Sequence, residues 1–263
     1  MNKIADSSGR KLLLDFLDNY KGFGSLGHLC IANALAERIS FSSDPKERSL
    51  LAVKMYSELI SALEDLGALC IAIRHREEGL GIVYNYLSYG QSHNPHSPKT
   101  STRKMFELCN VDSRVLVTAL NLPALEDVVR SFPAESKTFS QLYSVLNQFL
   151  PYAANLYLYK DRQVDVVMRA YNKMKHGFVV VDNAAFINPD VISPSDDACW
   201  ILLDNSEHQS KGDPIVDLVL VEPKIVGLSL ERIKGVYGAV VSLCILIKEL
   251  IGRGLIHSAD DLL

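Results

Sequence analysis

The sequence predicts a mainly α-helical protein: a helical bundle with a long central helix and a small antiparallel β meander inserted before the last long helix. Apolar residues recur at three- and four-residue steps over residues 44–79 and again over 229–252. Between them, short β-branched and aromatic runs are separated by Asn, Asp, Pro and Gly, as in a meander. The 263 residues are 48% hydrophobic, which allows a sizeable core and excludes a disordered or collagen-like chain.

We expect a single domain over residues 1–263, beginning with two helices in residues 1–43 that pack on the bundle. The first is short and amphipathic and stops near Gly22 and Gly24, and the second runs over 25–39. Gly22 to Gly27 spell the dinucleotide pattern G-x-G-x-x-G, which requires a buried strand before it. A charged amphipathic stretch precedes it instead, so we interpret the glycines as a turn between two helices.

The bundle helices are predicted over residues 44–176 and start with the long central helix. Asp44 is a favourable N-cap, Pro45 suits the first helical position and Glu47 follows three residues after the cap. The apolar stripe of this helix comprises Leu51, Met55, Leu59, Leu63, Leu66, Leu69 or Cys70, and Ile73. Glu64 and Asp65 are interpreted as polar helix surface unless that face meets another polar cluster.

A Gly/Pro-rich loop is predicted over 79–102, followed by short helices and a longer helix over 138–175, bent at Pro151. The β insertion covers 177–223, with strands at 178–181, 199–203 and 215–221. A final bundle helix is predicted over 227–252, and the polar tail 258–263 is expected to be loose.

Composition and motifs limit the classes of function. A net charge of −4, from 27 basic and 31 acidic residues, excludes a general polyanion binder. Five scattered cysteines without a C-x-x-C pair predict reduced, mostly buried thiols. The histidines lack metal-ligand spacing, so we expect no metal and no cofactor. The apolar stretch 236–247 is shorter than a membrane span, so we expect a cytoplasmic protein without membrane contact.

One short segment carries candidate chemistry. On a continuous helix Arg169, Asn172, Lys173 and His176 share one face, and Gly177 follows as a helix stop. Between Lys160 and Lys175 there are five basic and two acidic residues, a local excess in an acidic chain. An arginine that holds phosphate and a histidine that exchanges a proton form a minimal phosphodiester site without metal.

The segment from Arg169 to His176, placed late in a bundle of long paired helices, resembles the HEPN superfamily and its R-x(4–6)-H hallmark. The resemblance implies a homodimer that brings these pairs together and cuts RNA by attack of the 2′-hydroxyl on the adjacent phosphate. His176 would be the acid or base and Arg169 would stabilise the phosphorane. Asn172, Lys173 and Lys175 are the substrate-binding candidates.

Three interpretations remain open from the sequence. The first is a metal-independent endoribonuclease in a toxin or defence role. The second is a non-catalytic HEPN-like module that binds a nucleotide, RNA or a protein partner such as an antitoxin. The third is a structural helical dimer in which Arg169 pairs with Asp165, four residues earlier on the same face. Active members of the family often carry a polar residue directly after the arginine, where this chain has Ala170.

Overall fold

The protein is predominantly helical, as the sequence predicts. The computed structural model describes residues 6–20, 24–79, 81–89, 102–110, 117–158, 181–182, 200–204, 217–220 and 226–262. Helices account for 84% of the residues whose secondary structure is assigned. The helices are α1 (Asp6–Tyr20), α2 (Ser25–Phe41), α3 (Pro45–Arg74), α4 (Gly81–Leu87), α5 (Thr102–Cys109), α6 (Leu125–Ser131), α7 (Ser136–Tyr157) and α8 (Val226–Gly252).

The β meander predicted over residues 177–223 is not supported, and the fold class is corrected to helical. In that segment the structure describes only stretches of two, five and four residues: β1 (Val181–Asp182), β2 (Trp200–Asp204) and β3 (Asp217–Leu220). They run antiparallel in the order β1-β2-β3. Together these stretches comprise eleven residues of a described chain that is mainly helical, so they do not establish a β layer as a part of the fold. β-branched runs favour extended backbone locally, but they do not establish such a layer.

The chain divides into two compact units. The first comprises Met1–Leu29, Ser61–Leu158 and Lys234–Leu263. Its core is aliphatic and aromatic, with fully buried side chains that include Leu13, Leu17, Leu63, Leu66, Leu69, Ile82, Phe106, Leu146, Leu243 and Leu250. Within this unit α5 and α6 both pack against α7. The second unit comprises Cys30–Ile60 and Tyr159–Ile233, where Arg232 donates a hydrogen bond to the buried Tyr56 hydroxyl at 2.9 Å.

Three thiols in the first unit are buried together. Cys70, Cys109 and Cys244 form no disulfide and are buried, as the scattered cysteine pattern predicts, whereas Cys30 is exposed. The neighbouring Cys109 and burial raise the pKa of the Cys70 thiol. These thiols therefore act as small apolar core residues rather than as nucleophiles.

Small residues allow close helix packing in the first unit. A Cβ at Gly238 would lie 2.8 Å from the Phe149 ring, and one at Gly235 would overlap the Tyr152 ring. Both glycines therefore bring α8 close to α7. At Gly67 of α3, the space for a Cβ is filled by Thr102, the first residue of α5.

The C-terminal tail is ordered, which corrects the prediction that it is loose. Ser258 is 4% and Asp260 1% exposed, and a 3-10 turn spans Ala259–Leu262. Asp260 Oδ2 accepts hydrogen bonds from the backbone N–H of Ile82 at 2.6 Å and of Val83 at 3.4 Å. The tail thus satisfies the first N–H groups of α4, which forms inside the segment predicted to be a loop.

Among the long helices that the structure describes, the last, α8, is the most apolar. Among the described residues, the segment Leu230–Gly252 is long and apolar enough to cross a membrane, with a mean hydropathy of 1.7. However, 61% of its most apolar stretch is buried inside the protein. A core helix has the same composition, so this segment is compatible with a soluble protein. Arg10 donates to the carbonyls of Ile251 and Gly252 at 2.6 and 2.8 Å and so binds the end of the helix.

Candidate functional site

The residues of the sequence-predicted phosphodiester site all lie outside the described part of the chain. They are Arg169, Asn172, Lys173, Lys175 and His176. The described portion of the predicted helix 138–175 is α7, which runs through Pro151 and ends at Tyr157. The roles of these five residues therefore stay predictions.

A different polar site is visible within the first unit. An open cleft of about 460 Å³ lies where α2, α3 and α4 meet. Its lining combines two carboxylates, an imidazole and two tyrosine rings with smaller groups: His28, Ser61, Glu64, Asp65, Ala68, Tyr86, Leu87 and Tyr89. Polar and charged groups therefore make up much of the lining, beside two tyrosine rings and the aliphatic Ala68 and Leu87.

Asp65 organises the floor of the cleft. Its Oδ2 accepts hydrogen bonds from the Tyr20 hydroxyl at 2.6 Å and from the Ser25 hydroxyl at 3.0 Å. Its Oδ1 accepts a further hydrogen bond from the Tyr86 hydroxyl. Hydroxyl groups from α1, α2 and α4 therefore converge on one carboxylate of α3, although the single Ser25 proton is shared with the Ala62 carbonyl oxygen at 2.9 Å. Because hydrogen bonds to an ionised acceptor are strong, this network fixes the position of the carboxylate.

The two tyrosines are held in their protonated, hydrogen-donating form. Burial, followed by the charge of Asp65, raises the pKa of Tyr20 well above its ordinary value. The same two causes, in the same order, raise the pKa of Tyr86. Ionising either phenol would place a second negative charge beside Asp65, so both remain donors at neutral pH.

Gly24 allows the chain to approach the network closely. Its φ is +59°, a conformation that residues with a Cβ rarely adopt, and an added Cβ would lie 2.7 Å from Asp65 Oδ2. Gly24 lies in the turn between α1, which ends at Tyr20, and α2, which begins at Ser25, as the interpretation of a turn between two helices predicts. Gly27 lies inside α2, and Gly22 lies outside the described residues.

Aromatic packing holds one wall of the cleft in place. The Tyr86 ring lies 5.3 Å from Phe16 and 5.4 Å from Tyr20, centroid to centroid, with an edge-on arrangement against Tyr20. On the same side, Tyr89 and Thr102 share a hydrogen bond of 2.8 Å between their hydroxyls. Both tyrosines of the lining are thus anchored at their hydroxyl ends.

The cleft does not form a metal site. Among the described residues, no group of three or more His, Cys, Asp and Glu side chains is arranged to hold a metal ion. Two of the three hydrogen bonds to Asp65 are accepted by Oδ2 and the third by Oδ1. They reduce the number of carboxylate lone pairs that could coordinate a metal ion.

The sequence alone identifies only part of this site. Glu64 and Asp65 are recognisable as polar residues on the long helix, and the condition that their face meet a polar cluster is fulfilled at Asp65. The partners of Asp65 lie 45, 40 and 21 residues away in the chain, at Tyr20, Ser25 and Tyr86. No local sequence pattern relates positions so far apart in the chain. They come together only because the helices pack against one another.

Comparison with protein-family models, with curated proteins and with solved structures gives no match in any of the three. The chemistry of this chain must therefore be argued from its own residues.

Proposed function

We propose that this protein is a HEPN-like, metal-independent endoribonuclease that acts as a homodimer in the cytoplasm, in a toxin or defence role. The observation that carries the proposal is the placement of Arg169 and His176 on one face of a predicted helix, with Asn172 and Lys173 between them. The helical fold of the described residues supports it, because the motif belongs to helical bundles.

In the proposed reaction the 2′-hydroxyl of the RNA attacks the adjacent phosphate and expels the next nucleotide, leaving a cyclic phosphate. His176 moves the proton, as a base toward the hydroxyl or as an acid toward the leaving oxygen. Arg169 neutralises the charge of the pentavalent phosphorane. Asn172, Lys173 and Lys175 hold the RNA backbone through its phosphates.

The charges of the molecule favour this segment over the cleft as the RNA-binding surface. The cleft presents Glu64 and Asp65, and carboxylates repel phosphate. Residues 160–175, in contrast, carry an excess of basic side chains. Phosphate contacts supply most of the affinity of non-specific nucleic-acid binding, so the basic segment is the better candidate.

The test is cleavage of labelled tRNA and total RNA in EDTA by the full chain. Removing a general acid or base, or a donor to the transition state, costs about a hundredfold or more in rate, so we expect His176→Ala and Arg169→Ala to abolish cleavage. Matched controls remove the same residue types from exposed positions, Arg130 and His257. Equal cleavage by wild type, His176→Ala and Arg169→Ala, or loss in the controls as well, would refute the assignment.

Ala170 favours a second candidate, a non-catalytic HEPN-like module that binds a nucleotide, RNA or a protein partner. Active members of the family often carry a polar residue at this position, after the arginine. If the protein is such a module, the wild-type chain does not cleave RNA in EDTA, but it binds RNA and holds it on the membrane in a filter-binding assay. Retention that falls in Arg169→Ala and Lys173→Ala, but not in Arg130→Ala, distinguishes RNA binding from a purely structural dimer.

A further inference from the structure

We infer that the cleft of α2, α3 and α4 is a binding site for a small organic cation with a guanidinium head, recognised by Glu64 and Asp65 and by the rings of Tyr86 and Tyr89. This site is independent of the proposed RNA-cleaving residues. It would add a ligand to the protein whether or not the protein is a nuclease.

The charge of the cleft selects a cation. Two neighbouring carboxylates of α3 line it, and Asp65 is held in place by hydroxyl donors from three other helices. None of the hydrogen bonds of that network involves Glu64. A carboxylate offers about four acceptor positions, so the three hydrogen bonds leave Asp65 about one for a ligand, and the Glu64 carboxylate lies beside it in the same lining. Preorganised carboxylates of this kind lower the ordering cost of binding.

The aromatic lining selects a flat cation over a compact one. Tyr86 is packed between Phe16 and Tyr20, and the Tyr89 hydroxyl is bound to Thr102, so neither ring is free to collapse into the cleft. A planar, weakly hydrated guanidinium stacks on such rings and binds a carboxylate through two parallel N–H groups. An ammonium group can lie over an aromatic ring, but it is not planar and does not present two parallel N–H groups to a carboxylate.

Size and donor count argue for an organic ligand rather than a metal. A volume of about 460 Å³ lies within the range of about 300–1,000 Å³ that is usual for small-molecule sites. The lining includes His28, Glu64 and Asp65, but within the part of the chain that the structure describes no three such side chains are arranged to hold a metal ion.

The test is isothermal titration of the full chain with agmatine, which carries a guanidinium and an ammonium on a short aliphatic chain. Two related compounds separate the contributions: putrescine keeps ammonium groups without the guanidinium, and butylurea keeps the planar donors without the charge. We expect saturable binding of agmatine at millimolar concentrations or below, and weaker binding of both analogues. No saturable binding of agmatine, or equal binding of putrescine or butylurea, would overturn the proposal.

Glu64→Gln identifies the site without disturbing the Asp65 network. It removes one charge and keeps the shape, and we expect agmatine affinity to fall about tenfold, as for the loss of a charged hydrogen-bond partner. Glu126→Gln removes the same charge from an exposed position of α6 and should leave the affinity unchanged. An equal loss in both variants would show non-specific attraction and contradict the assignment, provided that both melt at the wild-type temperature.

Discussion

At the residue scale, Gly24 is constrained both by its backbone conformation and by its neighbours. Its φ of +59° strains any residue with a Cβ, and the new Cβ would lie 2.7 Å from Asp65 Oδ2. We therefore expect Gly24→Ala to lower the free energy of unfolding by about 1–3 kcal/mol, from backbone strain and overpacking together. Urea denaturation followed by circular dichroism measures the change.

Gly27 is the matched control for this substitution. It lies within α2, three residues away, and an added Cβ would meet nothing within 4 Å. Replacing a glycine inside a helix by alanine stabilises the helix by about 0.5–1 kcal/mol, so Gly27→Ala should raise the free energy of unfolding. Equal effects of the two substitutions would contradict the described geometry at Gly24.

Tyr20 links the same network to pH. Its pKa is raised in the folded protein, chiefly by burial, so the folded state keeps the phenolic proton after the unfolded chain has lost it. The stabilisation is fully present below about pH 10, the ordinary pKa of tyrosine, and is lost as pH rises toward the folded-state pKa. Above about pH 10, one such group lowers the free energy of unfolding by about 1.4 kcal/mol per pH unit.

Tyr20→Phe tests this dependence, because it removes the proton and keeps the ring. We expect the free energy of unfolding to fall less steeply with pH in Tyr20→Phe than in wild type, by the slope that corresponds to one proton. Urea denaturation at several pH values above neutrality measures both slopes. Parallel pH profiles for wild type and Tyr20→Phe would contradict the placement of this phenol beside Asp65.

At the element scale, α4 depends on the C-terminal tail. Asp260, which is 1% exposed, accepts the first N–H groups of the helix, and Ser258 supplies another acceptor to Ile82 at 3.2 Å. Asp260→Ala removes this cap, for which losses of about 0.5–2 kcal/mol are typical. We expect hydrogen exchange at Ile82 and Val83 to become faster, while the amides of α7 keep their protection. Unchanged exchange in α4 would show that the tail does not hold the helix.

The helices with strong apolar periodicity could be predicted from the sequence, and those held by distant contacts could not. The long helix was predicted from Asp44 to about Gly79 and is observed at Pro45–Arg74, with Pro45 at its first turn. In contrast, α4 lies within a segment whose glycines and prolines indicate a loop, and its cap comes from residue 260. The prediction of a β meander was wrong because local β propensity alone does not establish a packed layer, which depends on distant contacts as well.

The candidate cleft was predictable only in outline. Glu64 and Asp65 stand out as polar residues on an otherwise apolar helix, but nothing near them in the sequence identifies Tyr20, Ser25 and Tyr86 as partners. Those contacts arise from the packing of four helices. The predicted phosphodiester site has the opposite character, because its residues are close together in the chain and their face follows from helical geometry alone.

At the scale of the whole molecule, we propose two chemistries for separate parts of one acidic chain. The described cleft carries negative charge and aromatic rings and is suited to a small cation. The segment 160–175 carries positive charge and is suited to phosphate. The two assignments fail independently, since agmatine binding does not require nuclease activity and RNA cleavage does not require an occupied cleft.

The proposal that Arg169 and His176 cut RNA without metal is best tested by identifying the ends left on a labelled RNA. The full chain, Arg169→Ala and His176→Ala are each incubated with the RNA in EDTA. We expect cyclic-phosphate ends with wild type and uncut RNA with both variants, because only attack by the 2′-hydroxyl leaves that product. RNA left intact by wild type, or cut by it to ends without a cyclic phosphate, would show that these residues do not catalyse this reaction.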